Sequence, residues 1–491
     1  MMTWLISRLR TTMAIALVLV TAGCQSTPAT SQQRFTPFMS PTQEAQIGRE
    51  QHPKIVQEFG GEYPDARVRQ YVTQIGQRLV RGSEAASQPF TFTVLNNDVV
   101  NAFALPGGYV YVTRGLLALA SSEAELAGVL GHEIGHVTAR HTAQRYSTSV
   151  AANLGIALLG VLTGSDLVAQ VSQGVAGIAL AGYSRDQEFE SDELGIRYLG
   201  AAGYDTNAMA SFLAKLQQDS RLSAQIMGRP GAADGFDIMQ THPRTADRVR
   251  EALDDARRQG KVAATPRIGR DEYFGAIDGL WYGGDPEHGF VRGNVFIHPA
   301  LRLQFEAPQG FRIFNDANAV TARTDGAQIV FDRDASNAAA GPVAAYIQGV
   351  WAKGVQISRI EPLSINGLEA ASATSRVDSK NGPVDVRLLA IRYDPRTIYR
   401  FMFSSQPNLT SQLTPVFRRT AMSFRPLSAA EAAAARPQRI RVVTVGAGDT
   451  VQSLSRRMAT PDFDLERFLV MNGLAPGQAL LPGDKVKIVA E

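Results

Sequence analysis

The sequence is poor in cysteine, in histidine and in net charge, and the shortages of cysteine and of net charge each exclude a class of protein. Its 491 residues include one cysteine, so the chain cannot form an internal disulfide. The 49 basic and 46 acidic side chains nearly balance, and a formal net charge of +3 is too small to indicate a nucleic-acid partner. We therefore expect neither a disulfide-stabilised scaffold nor a nucleic-acid-binding protein.

The few histidines include one informative pair. Of only 7 in the chain, two stand four residues apart in His132-Glu133-Ile134-Gly135-His136. This H-E-x-x-H pattern is the zinc signature of metallopeptidases. Residues four apart share one face of a helix, so both imidazoles can bind one metal ion, and the glutamate can act as general base on a metal-bound water. The alternative is a helix with two satisfied surface histidines.

A catalytic zinc ion also needs a third protein ligand and an open fourth position. His141 lies about 180° around a helix from the first histidine of the motif, so we reject it as that ligand. Glu188 and Asp192 are again four apart and would present two carboxylates on one face of a second helix. One would bind zinc, and the other would hydrogen-bond a ligand histidine or the reacting water. We expect Glu190 and Glu193 to face solvent.

Four separated segments resemble the HtpX, BepA and CAAX-prenyl-endoprotease family of zinc metallopeptidases, the gluzincins. In chain order they are N-A-F-A-L-P-G-G from Asn101, the H-E-I-G-H motif, E-F-E-S-D from Glu188, and Thr241-His242-Pro243-Arg244, which opens the family's T-H-P-x-x-x-x-R pattern. The resemblance spans about 41–260. It departs from the family's usual E-x-E-A-D only in having Ser191 in place of Ala.

This resemblance implies a role for each matching residue. His132, His136 and Glu188 would be the ligands of a Zn²⁺ cofactor, and Glu133 would be the catalytic base. Asp192 would orient a ligand or handle a proton, and we group it with Glu133 as catalytic. The implied fold of this part is a mainly helical gluzincin peptidase domain with a small sheet.

The resemblance also implies two interactions around the zinc ion. His242 would approach the metal and occupy its open position as a latch; the alternative is a histidine satisfied at a helix start before Pro243. An extended substrate would add as a strand beside the edge residues Asn101, Ala102 and Phe103. Such main-chain recognition would have little sequence selectivity.

The N-terminal residues resemble a bacterial lipoprotein signal. An apolar run too short to span a bilayer leads to Thr21-Ala22-Gly23-Cys24, which is similar to a lipobox. We interpret 1–23 as the signal peptide and Cys24 as the lipidated first residue of the mature chain. Gln25 after the cysteine favours the outer membrane. We expect a lipid anchor on the periplasmic side of that membrane, followed by a flexible tether over 24–41.

Residues 441–489 resemble a LysM module, which recognises N-acetylglucosamine polymers such as peptidoglycan. The patterns G-D-T-x-x-S-L and L-x-P-G-x-x-x-x-I carry the resemblance within a strand, helix, helix, strand order. Asp449, Thr450, Asn472 and Gly473 would line the sugar groove. The alternative is a small βααβ domain that binds nothing.

The expected architecture is multidomain α+β. It comprises the peptidase domain over 42–260, an α+β middle domain over 266–427, an alanine-rich linker over 428–440 and the βααβ module. The middle domain faintly resembles PsbP-like sandwiches and has no catalytic motif. Because the module follows a spacer, we expect it not to shape the zinc site. Residues 147–182 would pack as a helical hairpin over the active site or insert in a membrane.

The sequence therefore favours a zinc endopeptidase that degrades misfolded or stalled proteins of the bacterial envelope. Peptidoglycan, through the LysM module, and the membrane, through Cys24, are the other expected partners. A rival hypothesis is an assembly factor or chaperone for outer-membrane proteins that acts by binding. Glu133 favours the enzyme, because a binding protein needs no general base. A peptidoglycan hydrolase would rest on the LysM resemblance alone.

Overall fold

The computed structural model describes most of the chain as two compact units. The described residues are 24–26, 33–36, 39–149, 182–226, 265–315, 319–334, 341–358, 360–379, 382–460 and 462–491, together with 242, 248, 251, 254, 257 and 258. Unit 1 contains the chain up to Leu280, Ile440–Met458 and Phe463–Ala490. Unit 2 contains Trp281–Arg439, Ala459–Asp462 and Glu491. Helices and several sheets give the multidomain α+β class that the sequence predicts.

Unit 1 is mainly helical. Four of its longer helices begin where a Ser or Asp side chain accepts a hydrogen bond from a backbone N–H of the first turn, which satisfies one of the free donors there. Among the described residues, its helices include Pro41–Glu58, Ala66–Arg81, Arg114–Leu119, Glu123–Thr138, Arg185–Ala201, Asn207–Ile226, Arg270–Ile277, Val451–Ser455 and Asp464–Asn472. We call Glu123–Thr138 the HExxH helix and Arg185–Ala201 the acidic helix.

A three-stranded sheet lies beside these helices. Tyr109–Thr113 is its central strand, parallel to Thr91–Leu95 and antiparallel to Ala102–Leu105. Among the described residues, no further strand pairs with Ala102–Leu105, so this strand is an edge. Its side chains are buried, and the ring of Phe103 stacks on Tyr111 with the centroids 4.8 Å apart. Any ligand at this edge would therefore meet main-chain groups.

The boundary between the units lies later than the sequence predicts. We expected the middle domain to begin at residue 266, but unit 1 continues to Leu280. The backbone N–H groups of Glu123 and Ala124 donate to the carbonyls of Gly269 and Ile268, so this segment closes the start of the HExxH helix. The buried hydroxyl of Tyr273 donates to the carbonyl of Leu117 at 2.6 Å. These hydrogen bonds tie 267–277 to the peptidase unit.

Part of the predicted tether is attached to unit 1. Cys24–Ser26 pairs antiparallel with Gln33–Phe35. Arg140, which follows the HExxH helix, donates to the hydroxyl of Thr36 at 3.2 Å and to the carbonyl of Met39 at 2.7 Å. Residues 24–41 are therefore not a free tether throughout.

The segment predicted as a hairpin or membrane insertion, 147–182, lies almost entirely outside the described residues. Within the part of the chain that the structure describes, no helix combines the length and apolar character needed to cross a bilayer. The choice between the two predictions for this segment therefore stays open.

Unit 2 is built mainly from two antiparallel sheets. The larger sheet has the order Arg312–Asn315, Val320–Thr324, Ala327–Asp334, Thr397–Ser405, Gly382–Asp394, Leu368–Ser379, Glu361–Ile365. The smaller has the order Arg425–Pro426, Leu303–Glu306, Val295–His298, Phe290–Arg292. Trp281–Tyr282 pairs with residues 438–439. The helices are Val343–Tyr346, Thr410–Ser423 and Ala429–Ala434, with a π-helical turn at Ile347–Trp351.

An aromatic core joins the sheets of unit 2. Phe305 of the smaller sheet contacts Phe331 and Phe401 of the larger one, with ring centroids 4.8 and 5.1 Å apart. Phe417 and Phe424 close the same core from Thr410–Ser423 and the residue after it. Burial of these rings is the main favourable contribution to the folding of the unit. The α+β prediction for this region is confirmed, and its boundaries shift to those of unit 2.

The C-terminal residues have the expected order of strand, helix, helix and strand, but they are not a separate unit. Gln438–Thr444 and Lys485–Ala490 are sheet neighbours, and the two helices lie between them in sequence. Residues 440–458 and 463–490 belong to unit 1 with the peptidase helices. The expectation of a module held apart by a spacer is therefore wrong. The LysM assignment itself stays a prediction.

Lys487 is the clearest reason for this association. Its side chain is fully buried, and its ammonium donates to the carbonyls of Ala118, Leu119 and Ala120 at 2.7, 3.1 and 2.6 Å. These carbonyls end Arg114–Leu119, where the helix dipole favours a cation and the acceptors have no helical partner. The three donors of the ammonium are thus all used. The C-terminal residues supply a cap that the peptidase helices lack.

We expect Lys487→Met to lower the free energy of unfolding by about 2–4 kcal/mol, because three buried carbonyl oxygens lose their donor. Lys485→Met is the matched control, since that ammonium pairs with Asp271 at 2.9 Å on the surface. An exposed pair of this kind contributes about 0–1 kcal/mol. Denaturant unfolding of the full chain measures both. Equal losses for the two variants would contradict the capping role of Lys487.

Candidate metal centre

The HExxH helix brings its two histidines together. Ser122 caps the helix by accepting from the backbone N–H of Glu125, and nearly every residue of the helix is buried. The Nε2 atoms of His132 and His136 lie 3.0 Å apart. The ring of Tyr183 stacks on His136 with the centroids 3.8 Å apart, which fixes the plane of that imidazole. The four-residue spacing thus produces a convergent pair and not two surface histidines.

The acidic helix packs unusually close to the HExxH helix because glycines line the contact. A Cβ atom on Gly195 would lie 2.9 Å from the backbone nitrogen of His132, and one on Gly135 would lie 2.8 Å from the hydroxyl oxygen of Ser191. Both distances are too short for a side chain. Ser191, which replaces the usual Ala of the family motif, donates its hydroxyl to the carbonyl of His132 at 2.8 Å. This contact aligns the carboxylates of one helix with the imidazoles of the other.

Four buried side chains converge at this contact. One ligand atom from each of His132, His136, Glu188 and His242 lies within 4.8 Å of the others. Glu188 Oε1 is 3.5 Å from His136 Nε2 and 2.9 Å from His242 Nδ1. Two imidazoles and a carboxylate form a common ligand set of catalytic zinc, and the imidazole of His242 is a further possible ligand in the same group. The side chains present therefore fit a zinc ion.

Asp192 fixes the tautomer of His132. Its Oδ1 atom is 2.8 Å from His132 Nδ1, so the imidazole donates a proton there and keeps its lone pair on Nε2, which faces the other ligands. Burial acts to raise the pKa of Asp192, but Arg248 and then His132 outweigh burial and lower it. The aspartate is therefore an ionised residue that orients a ligand, and its carboxylate does not belong to the metal-binding group.

Arg248 binds both carboxylates of the acidic helix at the centre. Its role was not predicted from the sequence. Its guanidinium makes two hydrogen bonds to Asp192, at 2.7 and 2.8 Å, and lies 2.6 Å from Glu188 Oε2. Burial acts to raise the pKa of Glu188, yet His242 and Arg248 hold it well below its usual value. The sequence does contain a signal for this role, because Arg248 is the arginine that ends the T-H-P-x-x-x-x-R pattern begun by Thr241.

Glu133 lies beside the four convergent side chains but is not one of them. It is fully buried, and neither carboxylate oxygen has a hydrogen-bond partner among the described residues. Its Oε1 atom is 3.5 Å from His242 Nε2. Burial raises the pKa of Glu133 above its usual value, although His242 and His132 act in the opposite direction. A buried, unsatisfied carboxylate is costly unless water or substrate completes the site.

The other predicted site residues lie away from this centre. Asn101, Ala102 and Phe103 belong to the buried edge of the small sheet, so only their main chain is offered to a substrate. Asp449 accepts from the backbone N–H of Gly446. Thr450 caps Val451–Ser455.

Two residues predicted to line a sugar groove have other contacts. Asn472 is buried, and its amide pairs with the backbone N–H and carbonyl of Lys487. A Cβ atom on Gly473 would lie 3.2 Å from the side chain of Lys215 in the same unit. Asn472 therefore has a structural role within its own unit, and its assignment to glycan binding stays a prediction. Motif position alone does not reveal which side of a module faces its own chain.

We expect Arg248→Met to lower the free energy of unfolding of the metal-free chain by about 3–5 kcal/mol, because two buried carboxylates lose their cation. Arg197→Met, on the acidic helix, is the control, since Arg197 pairs with Glu84 at the surface and its loss costs about 0–1 kcal/mol. Saturating zinc should recover part of the loss in Arg248→Met, because the ion supplies positive charge at Glu188.

The pH dependence of this loss provides a second readout. The pKa values of Asp192 and Glu188 are lowered in the folded chain, so their stabilisation is complete at neutral pH and disappears as pH falls through those lowered values. The difference in unfolding free energy between wild type and Arg248→Met should therefore shrink in acid. A difference that is the same at neutral and acidic pH would contradict the ion pairs.

Comparisons with known proteins agree with this geometry. Residues 66–256 match the model of Peptidase family M48. A putative beta-barrel assembly-enhancing protease of Vibrio cholerae is 34% identical over 214 residues, 42% of each chain. The beta-barrel assembly-enhancing protease of Escherichia coli K12 is 34% identical over 228 residues, 44% of each chain. Mitochondrial metalloendopeptidase OMA1 of Arabidopsis thaliana is 34% identical over 151 residues, 30% of this chain and 28% of that protein.

Solved structures resemble a part of the chain only distantly. The solution structure of cyanobacterial PsbP from Synechocystis is 12% identical, covers 29% of this chain and 98% of its own, and has a TM-score of 0.23. LpqN of Mycobacterium tuberculosis is 11% identical, covers 26% and 83%, and has a TM-score of 0.21. Scores this low do not establish a shared fold. The chain spans less than half the length of the curated relatives named above, and over 66–256 it is similar to M48 metallopeptidases, which confirms the metallopeptidase prediction for that segment.

Proposed function

We propose that the chain is a zinc-dependent endopeptidase that cleaves unfolded or misassembled proteins of the bacterial envelope. One observation carries the proposal: His132, His136 and Glu188 converge in a buried group while the carboxylate beside them, Glu133, has no hydrogen-bond partner among the described residues. A binding protein would gain nothing from that buried carboxylate, whose desolvation is unfavourable. A hydrolase needs it to take a proton from water.

The residues divide the work of hydrolysis between them. His132, His136 and Glu188 would hold a zinc ion, which when bound supplies Lewis acidity towards a peptide carbonyl and activates water. Glu133 accepts the proton of the attacking water and passes it to the leaving amine. Its raised pKa, caused mainly by burial, makes it a stronger base than an exposed glutamate. Asp192 keeps His132 in the tautomer that the centre requires.

Substrate recognition is proposed at the edge strand Ala102–Leu105. Its outer edge has no strand partner among the described residues, and its side chains are committed to the core. A peptide added there would be recognised through its main chain, which is accessible in unfolded proteins and hidden in folded ones. The names of the Vibrio cholerae and Escherichia coli relatives, beta-barrel assembly-enhancing protease, support envelope proteins as substrates.

We expect Glu133→Gln to abolish cleavage of unfolded casein while zinc binding stays near one ion per chain, because the residue is a base and not a ligand. Glu193→Gln on the surface of the acidic helix is the control and should cleave normally. Casein cleavage and metal content are measured on the same preparations. Undiminished cleavage by Glu133→Gln would refute the peptidase mechanism. If cells tolerate this variant but not loss of the whole chain, the assembly-factor hypothesis is favoured instead.

His242 is proposed to restrain the enzyme in this conformation. Its Nδ1 atom is 2.9 Å from Glu188 and its Nε2 atom is 3.5 Å from Glu133, so it lies between the ligand set and the base. Burial acts to lower the pKa of His242, but the two carboxylates outweigh burial and raise it. A substrate carbonyl and an attacking water would have to displace this imidazole. The alternative, a histidine satisfied at a helix start, does not account for these contacts.

We expect His242→Ala to raise casein turnover severalfold without loss of zinc, because the three remaining ligands complete a catalytic set. Glu188→Ala provides the contrast, since it should lose both zinc and activity. Turnover and zinc affinity distinguish the two variants. If His242→Ala loses zinc as completely as Glu188→Ala does, the histidine is an obligatory ligand and not a restraint.

Attachment to the envelope is proposed at both ends of the chain. Cys24 at a lipobox-like sequence supports acylation and location on the periplasmic side of the outer membrane. The LysM resemblance of 441–489 supports peptidoglycan binding, with Asp449, Thr450, Asn472 and Gly473 as the candidate groove residues. We expect the Cys24→Ser variant to be lost from the outer-membrane fraction. It has no cysteine to acylate at this position, and stable membrane anchoring needs more than one lipid chain. Palmitate incorporation into Cys24→Ser would contradict acylation at this residue.

A further inference from the structure

His136 has a hydrogen-bonding partner behind the metal centre, and that partner is His141. The two Nδ1 atoms lie 2.8 Å apart. His141 is fully buried, and its Nε2 atom is 3.2 Å from Glu190 Oε2. His141 does not belong to the metal-binding group, in agreement with its position around the helix from His132. The sequence predicts that Glu190 faces solvent, but only 15% of its side chain is exposed and its carboxylate contacts His141.

The chemistry of these contacts fixes where each proton lies. An ionised carboxylate can only accept, so His141 must donate its Nε2 proton to Glu190. A neutral imidazole carries one proton, which leaves a lone pair on His141 Nδ1. That lone pair accepts the Nδ1 proton of His136, whose own lone pair is then on Nε2. This is the atom that faces His132 and Glu188 in the ligand group. The relay therefore holds His136 in its metal-binding tautomer.

The ring plane of His136 is fixed as well, because the ring stacks on Tyr183 with the centroids 3.8 Å apart. A histidine with a fixed ring plane and a defined tautomer is a stronger ligand than a free one, because less has to be rearranged on metal binding.

The acidic helix thus supplies an orienting carboxylate for each ligand histidine. Asp192 contacts His132 directly, and Glu190 reaches His136 through His141. We propose that His141 and Glu190 are positioning residues of the zinc centre, which hold His136 Nε2 toward the metal as Asp192 holds His132. The inference rests on the proposed zinc function and adds two residues that neither bind the metal nor touch the substrate.

Zinc affinity of the full chain tests the proposal, measured by competition with a chromophoric chelator. Removing an outer hydrogen-bond partner of a ligand histidine typically weakens metal binding about 10–100-fold, so we expect losses in this range for His141→Leu and Glu190→Ala. His141→Gln offers an amide oxygen to His136 and should recover most of the loss. Glu193→Ala on the same helix is the control and should bind zinc as wild type does.

A second readout separates positioning from general stability. In the cobalt-substituted chain, the visible absorption bands should shift in His141→Leu and return in His141→Gln, since they report ligand geometry directly. If His141→Leu does not fold, Glu190→Ala carries the test, because its side chain lies at the edge of the core. Wild-type zinc affinity in Glu190→Ala and His141→Leu would overturn the positioning role alone. A wild-type chain that binds no zinc would overturn the zinc centre and this inference together.

Discussion

The close contact between the HExxH helix and the acidic helix is the constraint on which the site depends. Gly195 and Gly135 allow the two backbones to approach to distances that any side chain would prevent. The two helices are not consecutive in sequence. Only at this separation can Glu188 of the acidic helix reach the imidazoles of the HExxH helix. The hydrogen bond from Ser191 to the carbonyl of His132 fixes the register of the pair. The metal site is therefore a consequence of helix packing.

The packing places three carboxylates in a buried space, and the surrounding cations make that arrangement tolerable. Arg248 forms ion pairs with Asp192 and Glu188. The electrostatic environment of Glu133 is set by its burial and by the nearby His242. The two kinds of environment push the pKa values of these acids in opposite directions. The same separation of environments distinguishes ionised ligands from a base in enzyme active sites generally.

The sequence was sufficient to predict the site residues that are spaced by about one helical turn. Glu188 and Asp192 could be identified as a pair because a spacing of four residues predicts a shared face, and the family resemblance then assigned the metal-ligand role to Glu188. Arg248 and His141 were not assigned roles, because their carboxylate partners, Asp192 and Glu190, lie 56 and 49 residues away in sequence and are brought close only by packing. Lys487 looks like an ordinary polar residue of a strand, yet it is a buried cap of another helix. The burial of Asn472 was not predicted either, because a motif does not indicate which of its side chains are buried.

The zinc centre itself can be tested most directly by X-ray absorption at the zinc edge of the full chain loaded with one equivalent of metal. The account predicts a shell of nitrogen and oxygen atoms at about 2.0–2.2 Å, with the multiple scattering that at least two imidazoles produce and with no sulfur. The same spectrum in Glu188→Ala should lose an oxygen neighbour or disappear with the metal. A wild-type spectrum without imidazole scattering, or a chain that retains no zinc, would contradict the central claim.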